Sequence, residues 1–126
     1  MHGVLNDQSM IYLQIARMLE DDILRGIYQE GEQVPSTNEL ARSYNINPAT
    51  AAKGINLLVA DGILYKKRGI GMFVAPGAGE TVRQKRKDAF YDGFVKPLVK
   101  EGFSLSLTRE ELLAMVTRAI EEGEQK

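Results

Sequence analysis

Residues 34–50 of the chain read VPSTNELARSYNINPAT, and this stretch decides the fold. Ser36, followed three residues later by Glu39, predicts a capping box. In this motif the hydroxyl accepts a backbone N–H at the start of a helix, and the carboxylate accepts the N–H of the cap residue. The pattern therefore predicts a short helix that buries Leu40 and Ala41, with Tyr44 as a further candidate for burial.

A second helix is predicted to begin at Pro48. Proline suits the first position of a helix, where its missing N–H costs nothing, and it disfavours helical geometry at Asn47, which becomes the N-cap. The helix is expected to run to about Asp61, where Gly62 can take the left-handed conformation that closes such an end. Two short helices joined by a turn of about four residues are typical of a helix-turn-helix.

The second helix has two unlike faces. Ala51, Ile55 and Leu58 form an apolar stripe at helical spacing. The residues predicted to point away from that stripe are small or polar: Ala49, Thr50, Lys53 and Asn56. A helix with a small N-terminal end and a few hydrogen-bond donors suits the major groove of DNA.

Two β-prone runs follow at residues 63–67 and 72–75, on either side of a glycine-bearing loop. Such runs predict a β-hairpin. Lys66, Lys67 and Arg68 are consecutive at its tip. A hairpin with a cationic tip directly after a helix-turn-helix indicates a wing.

Three ordered motifs, PSTNELA at residues 35–41, INPAT at 46–50 and KRGIGMFV at 67–74, resemble the GntR family of bacterial winged-helix regulators. The Asn-Pro-x-Thr start of the second helix resembles its short YtrA-like branch. The resemblance is close over about residues 10–74. It implies a dimeric, sequence-specific transcription regulator that binds an inverted-repeat operator in double-stranded DNA. The family's usual role would make it a repressor of its own operon, often one encoding an ABC transporter.

The resemblance also implies contact roles, position by position. Ser36 and Arg42 would hold phosphates, and Arg68 would reach a minor groove, whose negative potential attracts arginine. Asn38 stands where many members have a base-reading arginine. Simpler roles stay open, with Ser36 as a helix cap only and Lys53 as a solvated side chain. The predicted DNA-binding set is Ser36, Asn38, Arg42, Asn47, Ala49, Thr50, Lys53, Lys67, Arg68 and Gly69.

Composition excludes several classes of protein. At 126 residues and 44% hydrophobic, the chain is one globular domain, or one small domain with an appendage. The absence of cysteine, of a signal peptide and of an apolar run near the ~20 residues of a membrane span favours a cytoplasmic protein. One histidine, His2, and no nucleophile–base spacing argue against an enzyme, a metal site or a bound cofactor.

Charge is distributed unevenly along the chain. Residues 34–74 contain five Lys or Arg and two Asp or Glu, a balance of +3, whereas the whole chain has a net charge of −1. A second basic cluster occupies residues 83–87, and acid collects at residues 20–22 and near the C-terminus. This asymmetry predicts one DNA-facing side, with scattered solvated charge as the alternative.

An amphipathic helix is predicted upstream over about residues 10–25, with Gly26 at its end. Residues 1–9 before it are expected to form a loose arm, and a short strand is predicted at residues 33–34. One face of the helix carries Tyr12, Ile15, Leu19 and Ile23.

Downstream of the wing, a small-residue linker at residues 76–79 predicts a boundary between a DNA-binding domain, residues 1–76, and a helical region, residues 77–126. About forty residues in two amphipathic helices cannot bury their own stripes. Dimerisation is favoured, because helix-turn-helix proteins usually bind as two-fold dimers; a private core or packing on the winged helix stays open. The predicted dimerisation residues are Phe90, Phe94, Leu98, Leu112, Val116 and Ile120.

The first of these tail helices is predicted over about residues 80–101, with a kink or split caused by Gly93 and Pro97 and a stop at Gly102. A second capping box at residues 108–111 opens the last helix.

The sequence thus predicts a mainly α protein with a small β-wing: a winged helix-turn-helix domain plus a C-terminal two-helix dimerisation tail. An alternative is a winged-helix module that binds protein without specific DNA binding, since the alanines of the second helix leave few base readers. A small-molecule effector stays open, with no pocket pattern to indicate one.

Overall fold

The computed structural model describes residues 8–125. The chain is mainly helical with one small antiparallel hairpin, which confirms the predicted fold class. The chain divides into two compact units after Lys85. The elements are α1 (Gln8–Leu24), α2 (Thr37–Tyr44), α3 (Pro48–Ala60), β1 (Leu64–Lys67), β2 (Gly71–Val74), α4 (Ala78–Phe90), a π-helical segment (Tyr91–Val95), α5 (Lys96–Ser104) and α6 (Arg109–Glu124).

Helix α1 buries three of the four residues of the stripe that the sequence predicted, and the fourth, Tyr12, is half-buried. Ile15, Leu19 and Ile23 are all buried, because their spacing of four keeps them on one face of the helix. The helix begins at Gln8, so the last two residues of the predicted loose arm belong to it. The remainder of that arm, with His2, lies outside the described residues.

Helix α2 begins with the predicted capping box. The Ser36 hydroxyl accepts the Glu39 N–H at 3.1 Å, and the Glu39 carboxylate accepts the Ser36 N–H at 2.8 Å. The pKa of Glu39 lies below its ordinary value, because its carboxylate accepts a hydrogen bond from the Ser36 N–H and, to a smaller extent, one from the Ser36 side chain. The predicted burial of Tyr44 is wrong. Its side chain is half exposed because the helix ends there, at a left-handed Asn45.

Helix α3 begins and ends as predicted. The Asn47 side chain accepts the Ala49 N–H at 2.8 Å, Pro48 is the first helical residue, and Gly62 beyond the end has a φ of 76°. The expectation that Thr50 points away from the apolar stripe is wrong. Thr50 is only 8% exposed, because it lies one helical turn before the buried Gly54, on the side of α3 that packs against α1.

The hairpin pairs Leu64 with Val74 and Lys67 with Gly71. The strand predicted at residues 33–34 is reduced to an isolated bridge on the free edge of β2, where the Val34 N–H donates to the Met72 carbonyl at 2.9 Å. This third extended segment ties the wing to the start of α2. Buried residues of the first unit include Val34, Leu40, Ala51, Ile55, Leu58, Ile63, Leu64, Val74, Ala78 and Val82.

The first turns of α4 belong to the first unit, because Ala78 and Val82 are fully buried in its core. The structural division therefore falls after Lys85, later than the predicted boundary after residue 76. The small residues at 76–79 indicate where the chain turns. They do not indicate where the buried core of the first unit ends.

The predicted interruption of the tail helix is observed as the π-helical segment over Tyr91–Val95, which contains Gly93. Pro97, in the first turn of α5, has no N–H to donate and would crowd the preceding carbonyls, so a wider turn accommodates it. The predicted stop at Gly102 is wrong. Helix α5 continues to Ser104. Gly102 is buried against Leu112 on α6, which occupies the space that a Cβ on Gly102 would need.

Candidate nucleic-acid interface

The exposed side of α3 is a narrow polar stripe. Ala49, Lys53 and Asn56 are exposed and are spaced by four and three residues. On the opposite side Ile55 and Leu58 are completely buried. The core therefore fixes which side of the helix can face a ligand, and that side begins with a methyl group and continues with a cation and an amide.

Lys53 is held by an aromatic ring from another helix. Its Nζ lies 4.3 Å from the centroid of the Tyr12 ring on α1. An ammonium over the face of a ring is attracted by the ring quadrupole. The charge of Lys53 therefore lies at the side of α3, over a ring of α1.

On α2, Asn38 and Arg42 are exposed and one helical turn apart. The Ser36 oxygen accepts a backbone N–H in the capping box, and its hydroxyl hydrogen can turn either to the Glu39 carboxylate or to an external acceptor. The cap role and the phosphate role that the sequence left as alternatives are therefore chemically compatible in one side chain.

The wing tip presents cations on a firm base. Lys67 Nζ lies 4.3 Å from the centroid of Phe73, whose ring stacks on Tyr65 at 5.9 Å. Lys66 and Arg68 are exposed beside it. Gly69 has a φ of 76°, a left-handed conformation that the turn requires and that other residues rarely adopt.

A glutamine braces this tip. The Gln33 amide donates to the Ile70 carbonyl at 2.9 Å, and its nitrogen occupies the space that a Cβ on Gly71 would need. Sequence reasoning missed both Gln33 and Tyr12. Their local patterns place Tyr12 on the apolar face of α1 and Gln33 in a short strand, and give neither a role at the site, because each acts on residues far along the chain.

The second basic cluster does not behave as a uniform DNA-facing patch. Lys85 Nζ lies 2.6 Å from a Glu20 carboxylate oxygen and 2.7 Å from one of Asp61, so it joins α1, the end of α3 and α4. Burial opposes its charge, but hydrogen bonds to Asp61 and Glu20 outweigh burial and raise the pKa of Lys85 above its ordinary value. Arg83 is paired with Glu80 on its own helix.

Nine of the ten predicted DNA-binding residues are exposed, and the exception is the buried Thr50. Within residues 8–125 no cluster of three or more His, Cys, Asp or Glu is arranged to hold a metal ion. None of the helices in that same range has the length and apolar character needed to cross a membrane.

Comparison with known proteins matches residues 11–74 to the model of "Bacterial regulatory proteins, gntR family". The chain belongs to the GntR family. The match runs from the first turn of α1 through the wing and includes all three sequence motifs.

Individual relatives agree with this family. The "Probable fructoselysine utilization operon transcriptional repressor" of Escherichia coli strain K12 is 45% identical over 65 residues, which is 52% of this chain and 27% of that repressor. The "HTH-type transcriptional repressor YtrA" of Bacillus subtilis is 35% identical over 72 residues, 57% of this chain and 55% of YtrA, and supports the YtrA-like branch. The chain thus matches about a quarter and about half of these two proteins.

The likeness extends into the tail in a solved structure. A crystal structure from Bacteroides thetaiotaomicron, assigned to the GntR family, is 34% identical with a TM-score of 0.74 and covers 90% of this chain and 98% of that one. The winged helix followed by a short helical tail is therefore an architecture that this chain shares with a family member.

Proposed function

We propose that the protein is a sequence-specific DNA-binding transcription regulator, which acts as a dimeric repressor of its own operon. One observation carries the proposal: the only polar stripe of α3 that the core leaves exposed, within the described residues, contains Lys53, and the wing of the same unit ends in adjacent cations. In helix-turn-helix proteins such a helix reads the major groove. An operator of this kind, in a bacterium, would lie in the cytoplasm.

The division of labour follows from the side chains. Ser36, Arg42 and Lys53 would contact phosphates and set the register of the protein on DNA, while base edges would be read by Asn38 and Asn47. The methyl group of Ala49 would leave room at the groove floor. Arg68 at the wing tip would enter the neighbouring minor groove, so that flanking A·T-rich sequence contributes to specificity through groove width.

Dimerisation would be supplied by the tail. Phe94 is 68% exposed and Ile120 is 55% exposed, although both are large and apolar. Phe90, Leu98 and Val116 of the tail are also exposed, and a group of exposed apolar side chains indicates an interaction surface. A two-fold pair of tails would place two winged helices on the two halves of an inverted repeat. The family relatives named as repressors support the direction of regulation, and an operon encoding an ABC transporter is the proposed target.

Charge reversals at the two contact elements test the proposal. Binding to the DNA upstream of the gene is measured by footprinting and then by fluorescence anisotropy at fixed salt. Lys53→Glu and Arg68→Glu are each expected to weaken binding at least tenfold. A neutral substitution at either position is expected to reduce the slope of log K against log salt by about one unit.

Lys100→Glu, an exposed lysine on α5, is the matched control and should bind like the parent protein. Unchanged isotherms for both Lys53→Glu and Arg68→Glu would remove the assignment of these residues. Absence of any footprint at low salt would favour the protein-binding alternative over gene regulation.

A further inference from the structure

The contact between Lys53 and Tyr12 joins a residue of the proposed DNA surface to a helix outside the helix-turn-helix. Lys53 is exposed at the side of α3, and Tyr12 is half-buried near the start of α1. The ammonium lies 4.3 Å from the ring centroid, well within the range of a cation–π interaction. Lysine has four rotatable bonds, so an exposed lysine without such a partner samples many positions.

The backbones of the two helices bring Lys53 and Tyr12 together. Gly54, the residue after Lys53, lies so close to α1 that a Cβ there would come within 2.8 Å of the Tyr12 carbonyl oxygen and 3.2 Å of Ile15. The two helices therefore touch at Tyr12 and Gly54. Because residue 53 precedes the contact and points outward, its side chain emerges beside the Tyr12 ring.

We propose that Tyr12 is a positioning residue for DNA binding, which holds the Lys53 ammonium at the edge of α3 for a DNA phosphate. The inference rests on the proposed function. One side of the ammonium faces the ring, and its N–H groups on the other side remain able to donate to phosphate oxygens. Because the ring orders the Lys53 side chain before DNA binds, less side-chain conformational entropy is lost on binding.

The wing repeats the arrangement. Lys67 lies 4.3 Å from the centroid of Phe73, so two of the proposed contact cations rest on aromatic rings supplied by the scaffold. The Tyr12 ring differs because it comes from α1, a helix with no proposed contact of its own. On this proposal the ring acts on DNA binding through Lys53.

A double-mutant cycle on the full chain tests this role. Anisotropy with upstream DNA is measured for the parent, Tyr12→Leu, Tyr12→Phe, Lys53→Met and Tyr12→Leu/Lys53→Met. We expect Tyr12→Leu to weaken binding about 2- to 5-fold, the size of an exposed cation–π interaction, and Tyr12→Phe to match the parent. Tyr12→Leu should keep the parent's salt slope, since the charge remains, whereas Lys53→Met should lose about one unit of it.

In the Lys53→Met background, Tyr12→Leu is expected to have no further effect. An equal loss in both backgrounds would overturn the inference, because Tyr12 would then act independently of Lys53. Loss with Tyr12→Phe would also overturn it, since the hydroxyl group rather than the ring would be responsible. If Lys53→Met weakens binding and Tyr12→Leu does not, this inference fails while the proposed function stands. If the parent itself binds no DNA, both fail.

A spectroscopic measurement that needs no DNA covers the case in which Tyr12→Leu folds poorly. The ring should shift the Lys53 Hε resonances upfield in the NMR spectra of the parent and of Tyr12→Phe. The shift should be absent from any folded variant that lacks the ring, such as Tyr12→Met. Hε resonances at their ordinary position in the parent protein would overturn the inference.

Discussion

Ser36 has one hydroxyl for an observed helix cap and a proposed phosphate contact. Its oxygen closes the capping box of α2, and its hydrogen is the proposed phosphate donor. Because the cap acts within the chain and the phosphate contact acts between molecules, substitutions can separate them. Aspartate is as good an N-cap as serine, but its negative charge repels a phosphate.

We therefore expect Ser36→Ala to lower the free energy of unfolding by about 1 kcal/mol, and Ser36→Asp to leave it nearly unchanged while weakening DNA binding more than Ser36→Ala does. Urea unfolding and anisotropy at the same salt measure the two effects. Thr108→Ala, which removes the cap of α6 in the tail, is the control: it should reduce stability without affecting DNA contacts directly. Equal DNA affinity for Ser36→Asp and the parent would assign Ser36 to the cap alone.

At the scale of elements, the wing is more than two paired strands. A two-stranded hairpin is only marginally stable by itself in water. Here the segment before α2 adds backbone hydrogen bonds along the free edge of β2, and the Gln33 side chain reaches the loop at Ile70. The wing tip is thus tied to the helix-turn-helix through the residues that precede it.

Removing that brace should loosen the tip while sparing the fold. Gln33→Ala is expected to weaken DNA binding about 3-fold and to change global stability by less than about 0.5 kcal/mol, because the side chain is exposed. Gln29→Ala, an exposed glutamine in the preceding turn, is the matched control. Anisotropy on operators with and without an A·T-rich flank measures the effect. A uniform loss on both operators would argue against a role for Gln33 at the minor groove.

At the scale of the whole molecule, the two units differ in how completely they bury their apolar residues. The first unit has a contiguous core in which residues such as Leu19 and Ile55 are almost inaccessible. In the second, Leu98, Leu112 and Val116 help to line an open apolar cavity of about 230 Å³. The alternative that the tail forms a private core is disfavoured, because most of its large apolar side chains remain exposed.

A charged residue among the exposed apolar side chains of the tail should prevent two chains from associating. Phe94→Asp and Val116→Asp are each expected to give monomers in sedimentation velocity runs at concentrations where the parent is expected to be dimeric, since the proposed interface would bury an unpaired carboxylate. When dimerisation is lost, affinity for an inverted-repeat operator should also fall. The helical circular dichroism signal should be unchanged. Lys100→Glu serves again as the control. A dimer that persists in both variants would exclude this surface.

Much of the first unit could be predicted, because its decisive interactions are local. The caps at Ser36 and Asn47 are hydrogen bonds within three residues of the chain. The buried faces of α1 and α3 follow from helical periodicity, and the hairpin follows from its composition. Such features depend on neighbours in the sequence, so the sequence by itself determined them.

What only the tertiary structure decided are contacts between residues far apart in the chain. The burial of Thr50, the pairing of Lys85 with Glu20 and the ring beneath Lys53 all depend on how α1, α3 and α4 pack. A glycine such as Gly102 often ends a helix, yet Gly102 lies within α5. The Leu112 side chain occupies the space that a larger residue at position 102 would need. The physical reason is that residues far apart in the sequence pack in direct contact in the core. A local sequence pattern does not indicate which distant side chain fills a given space.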